Sequence, residues 1–205
     1  MARSQALNEQ MRESSRALIL ETALELFGTH GFDRTSIRMI AEAAGISQGL
    51  LYNYFTSKDA VLEAIFDRSM RDVQHSFMLA EAGATAAERI ERLVRGAFEI
   101  LRQNESFWRL SYSLRMQPSV LGSLAQRIRK STVLIQQTLA RYLRDAGSDS
   151  PELEAAILFA VIDGVSQHYV LDPARYRLDA IADRVIQRFT PGAKRLANRS
   201  AKRST

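Results

Sequence analysis

The sequence predicts an all-α fold of about nine helices, and three observations carry that reading. Apolar residues recur at i, i+3, i+4 and i+7 along nearly the whole chain, the spacing of a helix with one buried face. No segment sustains the period-2 alternation of a strand. Proline and glycine fall at the joints between periodic stretches. The 205 residues suit one or two domains, and 46% hydrophobic with 25% charged residues are ordinary globular values.

Residues 1–11 are polar and read as a flexible arm. A first helix is expected from about Ser14 to Thr29, with Leu18, Ile19, Thr22, Ala23, Leu26 and Phe27 on its apolar face and Gly31 as its stop. Two short helices then meet at a glycine. Ile37, Ile40, Ala41 and Ala44 share one face of the first, and Gly45 ends it, because glycine tolerates the left-handed conformation of a C-terminal cap. Ser47 is a good N-cap for the second. Ile46 before that cap and Leu51 at the fourth helical position make a hydrophobic staple. Two helices joined by so tight a turn form a helix-turn-helix, whose second helix is narrow enough for a DNA major groove.

Thr56 or Ser57 caps a longer helix that fades near Gly83, with Asp59 favourable in its first turn. Further helices are expected over 86–102, 106–116, 119–146 (ended by Gly147), 151–171 (opened by Pro151) and from Pro173 or Ala174 to Phe189. The division expected is a helix-turn-helix domain over 1–58, a larger helical domain over 59–190, and a basic disordered tail over 191–205.

Charge by itself does not indicate nucleic acid. The net charge is +5, but the tail holds Lys194, Arg195, Arg199, Lys202 and Arg203 and no acid. Without those five of its 28 basic residues, the chain has as many bases as its 23 acids. Residues 1–60 carry a net charge of −1. A case for DNA therefore rests on where particular side chains lie. In Ser-Gln-Gly-Leu-Leu-Tyr-Asn-Tyr-Phe, Leu51 and Phe55 are spaced to face the core, leaving Gln48, Gly49, Tyr52 and Asn53 outward. Glutamine and asparagine present the paired donor and acceptor that match adenine. Tyrosine can bond a phosphate, and a glycine lets backbone approach bases closely. A plain exposed helix would favour lysine, glutamate or alanine at these places.

From Arg16 to Leu62 the chain resembles the DNA-binding domain of TetR-family transcriptional regulators. The resemblance joins the helix that carries Phe27, the turn, the Tyr52/Tyr54 pair and Lys58 at fixed offsets. It implies that Thr35 and Ser36 lie near a phosphate and that Arg38 reaches the backbone or a guanine edge. Ser47, Gln48, Gly49 and Leu50 would face the bases. Tyr52 and Tyr54 would bind phosphate, with Asn53 variable between them, and Lys58 would grip a phosphate beside a helix N-terminus. Tyr54 departs from the pattern, since many members have histidine there. The resemblance further implies a homodimer on a pseudo-palindromic operator, paired through the last two helices. The candidates are Leu153, Ala156, Ile157, Ala160, Val161, Gly164, Val165 and His168, then Ile181, Val185 and Phe189.

The same resemblance implies a small-molecule ligand in the larger domain. Phe66, Met70, Trp108, Tyr112 and Met116 form an aromatic and methionine-rich set, with Gln136 and Asp163 as polar candidates. The expected function is a transcriptional repressor released from its operator by an apolar or aromatic ligand. An activator of the same family and a ligand-independent architectural DNA-binder are the alternatives. No enzyme activity is expected: with only three histidines and no cysteine, no nucleophile–base grouping is visible. Neither metal nor cofactor is expected, as Asp163 and His168 are not at i, i+4. The opening residues lack an apolar run, so no signal peptide is expected and the expected location is cytoplasmic.

Overall fold

The computed structural model describes residues 2–190, so the basic tail lies outside the described residues. Among these it holds nine α-helices: α1 Ala2–His30, α2 Ile37–Ala43, α3 Gln48–Tyr52, α4 Lys58–Glu81, α5 Ala86–Gln103, α6 Glu105–Arg115, α7 Pro118–Asp145, α8 Pro151–Leu171 and α9 Leu178–Phe189. No described helix is long and apolar enough to cross a membrane.

Two boundaries differ from the sequence expectation. Helix α1 begins at Ala2 rather than near Ser14. Glutamine, alanine, leucine, glutamate, methionine and arginine over residues 5–13 are strong helix formers with no glycine or proline among them. Propensity thus extends a helix that has no apolar face there to announce it. At the other end, α9 starts at Leu178 rather than Pro173 or Ala174. The preceding residues form a turn closed by the Arg175 amide donating to Asp172 O at 3.2 Å.

The chain forms two compact units, Met1–Ser69 with Ser106–Gln126, and Met70–Glu105 with Arg127–Thr205. In the first, Ile19, Ala23 and Phe27 of α1 are buried, with Ile40 of α2, Leu51 of α3, Val61 and Leu62 of α4, and Leu114 of α6. Each of the larger of these side chains contributes roughly 1.5–3 kcal/mol by leaving water. Phe27 and Phe32 meet edge to face at 5.0 Å. Arg68 of α4 bonds Glu21 at 3.1 Å and covers the Phe107 ring at 4.9 Å.

The second unit buries Ile90, Leu93, Val94 and Phe98 of α5 with Leu158 of α8 and Leu178, Ala182, Val185 and Phe189 of α9. Thr85 caps α5 by accepting from the Glu88 amide at 3.2 Å. Arg95 and Arg102 tie α5 to Asp183 and Asp179 of α9, each at 2.8 Å. These pairs are exposed and contribute little individually.

Tyr142 of α7 is fully buried, and its hydroxyl donates to Glu81 Oε1 of α4 at 2.8 Å. Arg141 bonds the same oxygen. Burial, reinforced by the bond to Glu81, pushes the Tyr142 phenol up to about 12. The bonds from Tyr142 and Arg141 hold the Glu81 carboxyl below its ordinary value. A raised phenol stabilises the fold fully below its ordinary value of 10.0 and loses that contribution as pH climbs towards 12. Tyr142→Phe should therefore cost about 1–3 kcal/mol at neutral pH. It should also flatten the loss of stability between those two pH values in urea titrations.

Candidate nucleic-acid interface

Helices α2 and α3 are short, and their ends are fully specified. Ser36 caps α2, its hydroxyl accepting from the Met39 amide at 3.2 Å. Ser47 caps α3 by accepting from the Leu50 amide at 3.1 Å. Between them the Ile46 amide donates to Ala41 O at 3.0 Å and the Gly45 amide to Glu42 O at 3.2 Å. That paired pattern is a Schellman motif, and it needs a left-handed residue at Gly45, whose φ is +67°. A side chain at that position would be strained, so the turn is tied to glycine.

The outward face of this unit carries Ser36, Arg38, Ser47, Gln48, Gly49, Leu50, Tyr52 and Asn53, all exposed. Tyr52 is 49% exposed and Leu50 40%, so both side chains are open to a partner on this face. A Cβ built on Gly49 meets no atom within 4 Å, so this glycine does not serve the packing of the fold. Arg38 bonds Glu42 one turn away at 2.9 Å, with both side chains mostly exposed. A pair of this kind contributes about 0.3–0.5 kcal/mol, so Arg38 can readily exchange Glu42 for a phosphate or base edge. Tyr54, beyond the end of α3, is half-buried.

One of the expected contacts is committed inside the protein, and a second is partly engaged there. Thr35 is 1% exposed, and its hydroxyl donates to Gly31 O at 2.9 Å and Leu26 O at 3.3 Å. It ties the turn after α1 to the last turns of that helix, so its hydroxyl is committed there rather than open to a phosphate. Lys58 Nζ donates to Phe32 O at 2.8 Å and Asp33 O at 3.4 Å, and lies 4.4 Å from the centre of the Phe32 ring. Half-buried, it braces the loop before α2. Gln117 completes this brace, and sequence reasoning missed it. Its Nε2 donates to Phe27 O at 3.1 Å, while its Oε1 accepts from the Phe32 amide at 2.7 Å. No local signal could have found it, because it reaches the loop from 85 residues away along the chain.

The other expected sites are placed as follows. Trp108 and Phe66 are buried in the first unit, and the Trp108 ring lies 5.8 Å from both Phe107 and Tyr112. Trp108 Nε1 has no hydrogen-bond partner. Met116, near the end of α6, is 72% exposed and lines no core. Met70, Gln136 and Asp163 are half-buried in the second unit, where Asp163 accepts from Gln167 at 2.6 Å. On α8, Leu153, Ile157, Ala160 and His168 are exposed, and Ala156, Val161, Gly164 and Val165 half-buried. Ile181 is half-buried, but Val185 and Phe189 are buried within their own unit. Helix α9 turns that stripe inward, against elements that include α5 and α8.

Comparison with known proteins agrees with this geometry. Residues 19–65 match the pattern of bacterial regulatory proteins of the tetR family, and residues 86–191 match the C-terminal part of BetI-type transcriptional repressors. The chain is 26% identical over 202 residues to the HTH-type transcriptional regulator YuxN of Bacillus subtilis, covering 94% of this chain and 67% of that one. It is 23% identical over 183 residues to the fatty acid metabolism regulator protein of the same organism, covering 85% and 93%. The solved structure of Bacillus subtilis FadR in complex with stearoyl-CoA shares the fold, with a TM-score of 0.69 at 20% identity, covering 86% of this chain and 98% of that one. The chain belongs to the tetR family of bacterial transcriptional regulators.

Proposed function

We propose that this regulator is a cytoplasmic repressor, not an enzyme, that binds a pseudo-palindromic operator as a homodimer and leaves it when a small-molecule ligand with an apolar or aromatic body binds. The observation that carries the DNA reading is the bare outward face of α2 and α3, with Gln48 and Tyr52 exposed beside an unobstructed Gly49. The dimer reading is supported by α8. That helix buries Ala155, Leu158 and Tyr169 on one side, yet carries Leu153 at 64% and Ile157 at 41% exposure on another. A helix with apolar side chains on more than one side is ordinarily covered on each, and a second copy of α8 is the natural cover for Leu153 and Ile157. The buried, unpartnered Trp108 Nε1 supports a ligand that brings a hydrogen-bond acceptor into apolar surroundings. The thioester carbonyl of an acyl-CoA is an acceptor of that kind.

The DNA reading is tested with operators enriched from a random-sequence library and read by fluorescence anisotropy. Enriched sites should contain two inverted half-sites. Gly49→Ala should stabilise the fold by about 0.4–1 kcal/mol, since it removes glycine from a helix without a clash, and yet weaken operator binding. Gln48→Ala should weaken binding roughly 5- to 150-fold and relax base preference in each half-site. Recovery of no preferred sequence, or wild-type affinity in both variants, would leave only a nonspecific binder. Stearoyl-CoA should raise the melting temperature and release DNA, and Trp108→Phe should blunt both effects.

A further inference from the structure

The turn before α2 lies at the surface, yet it is held from several directions. The Thr35 amide closes it by donating to Phe32 O at 3.3 Å. Gln117 Oε1 accepts from the Phe32 amide at 2.7 Å, and Lys58 Nζ donates to Phe32 O at 2.8 Å. The Thr35 hydroxyl donates back to Gly31 O at 2.9 Å, and Phe32 itself is buried against Phe27. A turn so fixed carries its side chains with little backbone freedom, which lowers the ordering cost of any contact they make. All these groups belong to the first unit, with α2 and α3.

The side chains this turn presents outward are Asp33 and Arg34. Arg34 is exposed, and its guanidinium has no hydrogen bond, ion pair or ring contact among the described residues. Thr35 after it is buried and Ser36 is exposed again, the alternation of an extended chain. Arg34 therefore emerges beside Ser36, at the edge of the outward face. The Ser36 oxygen accepts from the Met39 amide, which leaves its hydroxyl proton to be donated elsewhere. Residues 1–60 carry a net charge of −1, so attraction to phosphate falls to individually placed cations. Arg38 is paired with Glu42, Arg16 lies over the Phe55 ring at 5.2 Å, and Lys58 braces the turn. Arg12 is exposed, but on the stretch of α1 that precedes its buried face. Arg34 is the uncommitted cation that continues the face of α2 and α3.

We propose that Arg34 binds a backbone phosphate of the operator together with the Ser36 hydroxyl, and that the brace of Gln117, Lys58 and Thr35 aims it. The assignment rests on the DNA reading above and adds to it a contact made outside the helix-turn-helix. A guanidinium meets phosphate through two parallel N–H donors. Such a contact fixes register on the duplex without reading sequence. The exposed Asp33 carboxylate, which has no partner among the described residues, opposes the same phosphate from the neighbouring position.

Fluorescence anisotropy on the full-length chain and an enriched operator, repeated over a range of salt concentrations, tests this. Each phosphate contact contributes about 0.9 to the slope of log affinity against log salt, and a homodimer brings two copies of Arg34. Arg34→Gln should lower that slope by about two and weaken binding roughly 10- to 100-fold near 0.1 M salt. Base preference and melting temperature should stay as in wild type, because the side chain reads no base and supports no packing. Arg92→Gln removes the same charge from an exposed site on α5 in the second unit and should change neither slope nor affinity. Asp33→Asn should tighten binding roughly two- to tenfold. A wild-type slope in Arg34→Gln overturns the assignment, as does an equal loss in Arg92→Gln or a relaxed base preference in Arg34→Gln. Should Arg34→Gln fold poorly, Asp33→Asn decides, and unchanged or weaker binding there overturns the assignment. Failure of these variants alone leaves the operator reading intact. If the wild type enriches no sequence, the operator reading fails, and the same slope comparison on duplex of mixed sequence still decides Arg34.

Discussion

Leu51→Ala should abolish operator binding while lowering the stability of the protein by about 2–5 kcal/mol. The magnitude follows from how little holds α3. A helix of five residues is far below the length that is stable alone in water, so it persists only through packing. Leu51 is its one buried side chain and is fully enclosed. Truncating it leaves a cavity and also removes the anchor that fixes how Gln48 and Tyr52 face outward. Urea denaturation with anisotropy on an enriched operator reads both losses. Leu50→Ala is the contrasting neighbour. Leu50 is 40% exposed and belongs to no buried core, so its removal should change stability by no more than about 1 kcal/mol, yet still weaken DNA binding. Equal behaviour of the two variants in both assays would mean that α3 is not the element that meets DNA.

Gln117→Ala should weaken operator binding although Gln117 lies nowhere on the outward face. It should also cost about 1–3 kcal/mol, the range for leaving part-buried backbone groups without partners. Its amide bonds two backbone groups at once, the Phe27 carbonyl at the end of α1 and the Phe32 amide in the loop before α2. Without it the loop keeps only the Phe27–Phe32 contact, its own backbone bonds and the bonds of Thr35 and Lys58, and the start of α2 at Ser36 is less well placed. Gln117→Glu separates positioning from packing. A carboxylate can still accept from the Phe32 amide but cannot donate to Phe27 O, so its affinity should fall between wild type and alanine. Hydrogen exchange at the Phe32 amide should rise in Gln117→Ala. An unchanged exchange rate with unchanged affinity would remove Gln117 from any positioning role.

Much of the helix-turn-helix is legible in the sequence because its determinants are local. Ser36, Gly45 and Ser47 act through residues within five positions of each other, and the caps and the turn follow from local geometry alone. The apolar spacing of α5 likewise places Ile90, Leu93, Val94, Phe98 and Leu101 in one core. What escaped is what depends on a partner distant in sequence, or on a balance between equal local preferences. The resemblance assigns Thr35 and Lys58 to phosphate, and only folding reveals that both also donate to carbonyls at the end of α1 and in the loop before α2. Val185 and Phe189 fit an outward stripe equally well as an inward one, since periodicity defines a face but not the direction in which it points.

The late start of α9 is the same lesson on a smaller scale. Proline at position 173 suits the first turn of a helix, so local rules permit a helix from there. In the folded chain Tyr176 instead stacks on His168, and α9 begins at Leu178 with Arg177 at its N-cap. The sequence by itself determined the all-α class, the nine segments nearly in their places and the reading head, because helix periodicity and caps are short-range. Tertiary structure alone decided which polar groups are free to meet DNA or a ligand and which are consumed in bracing the loop, because a hydrogen bond can be counted as available only once every distant competitor for it is in place.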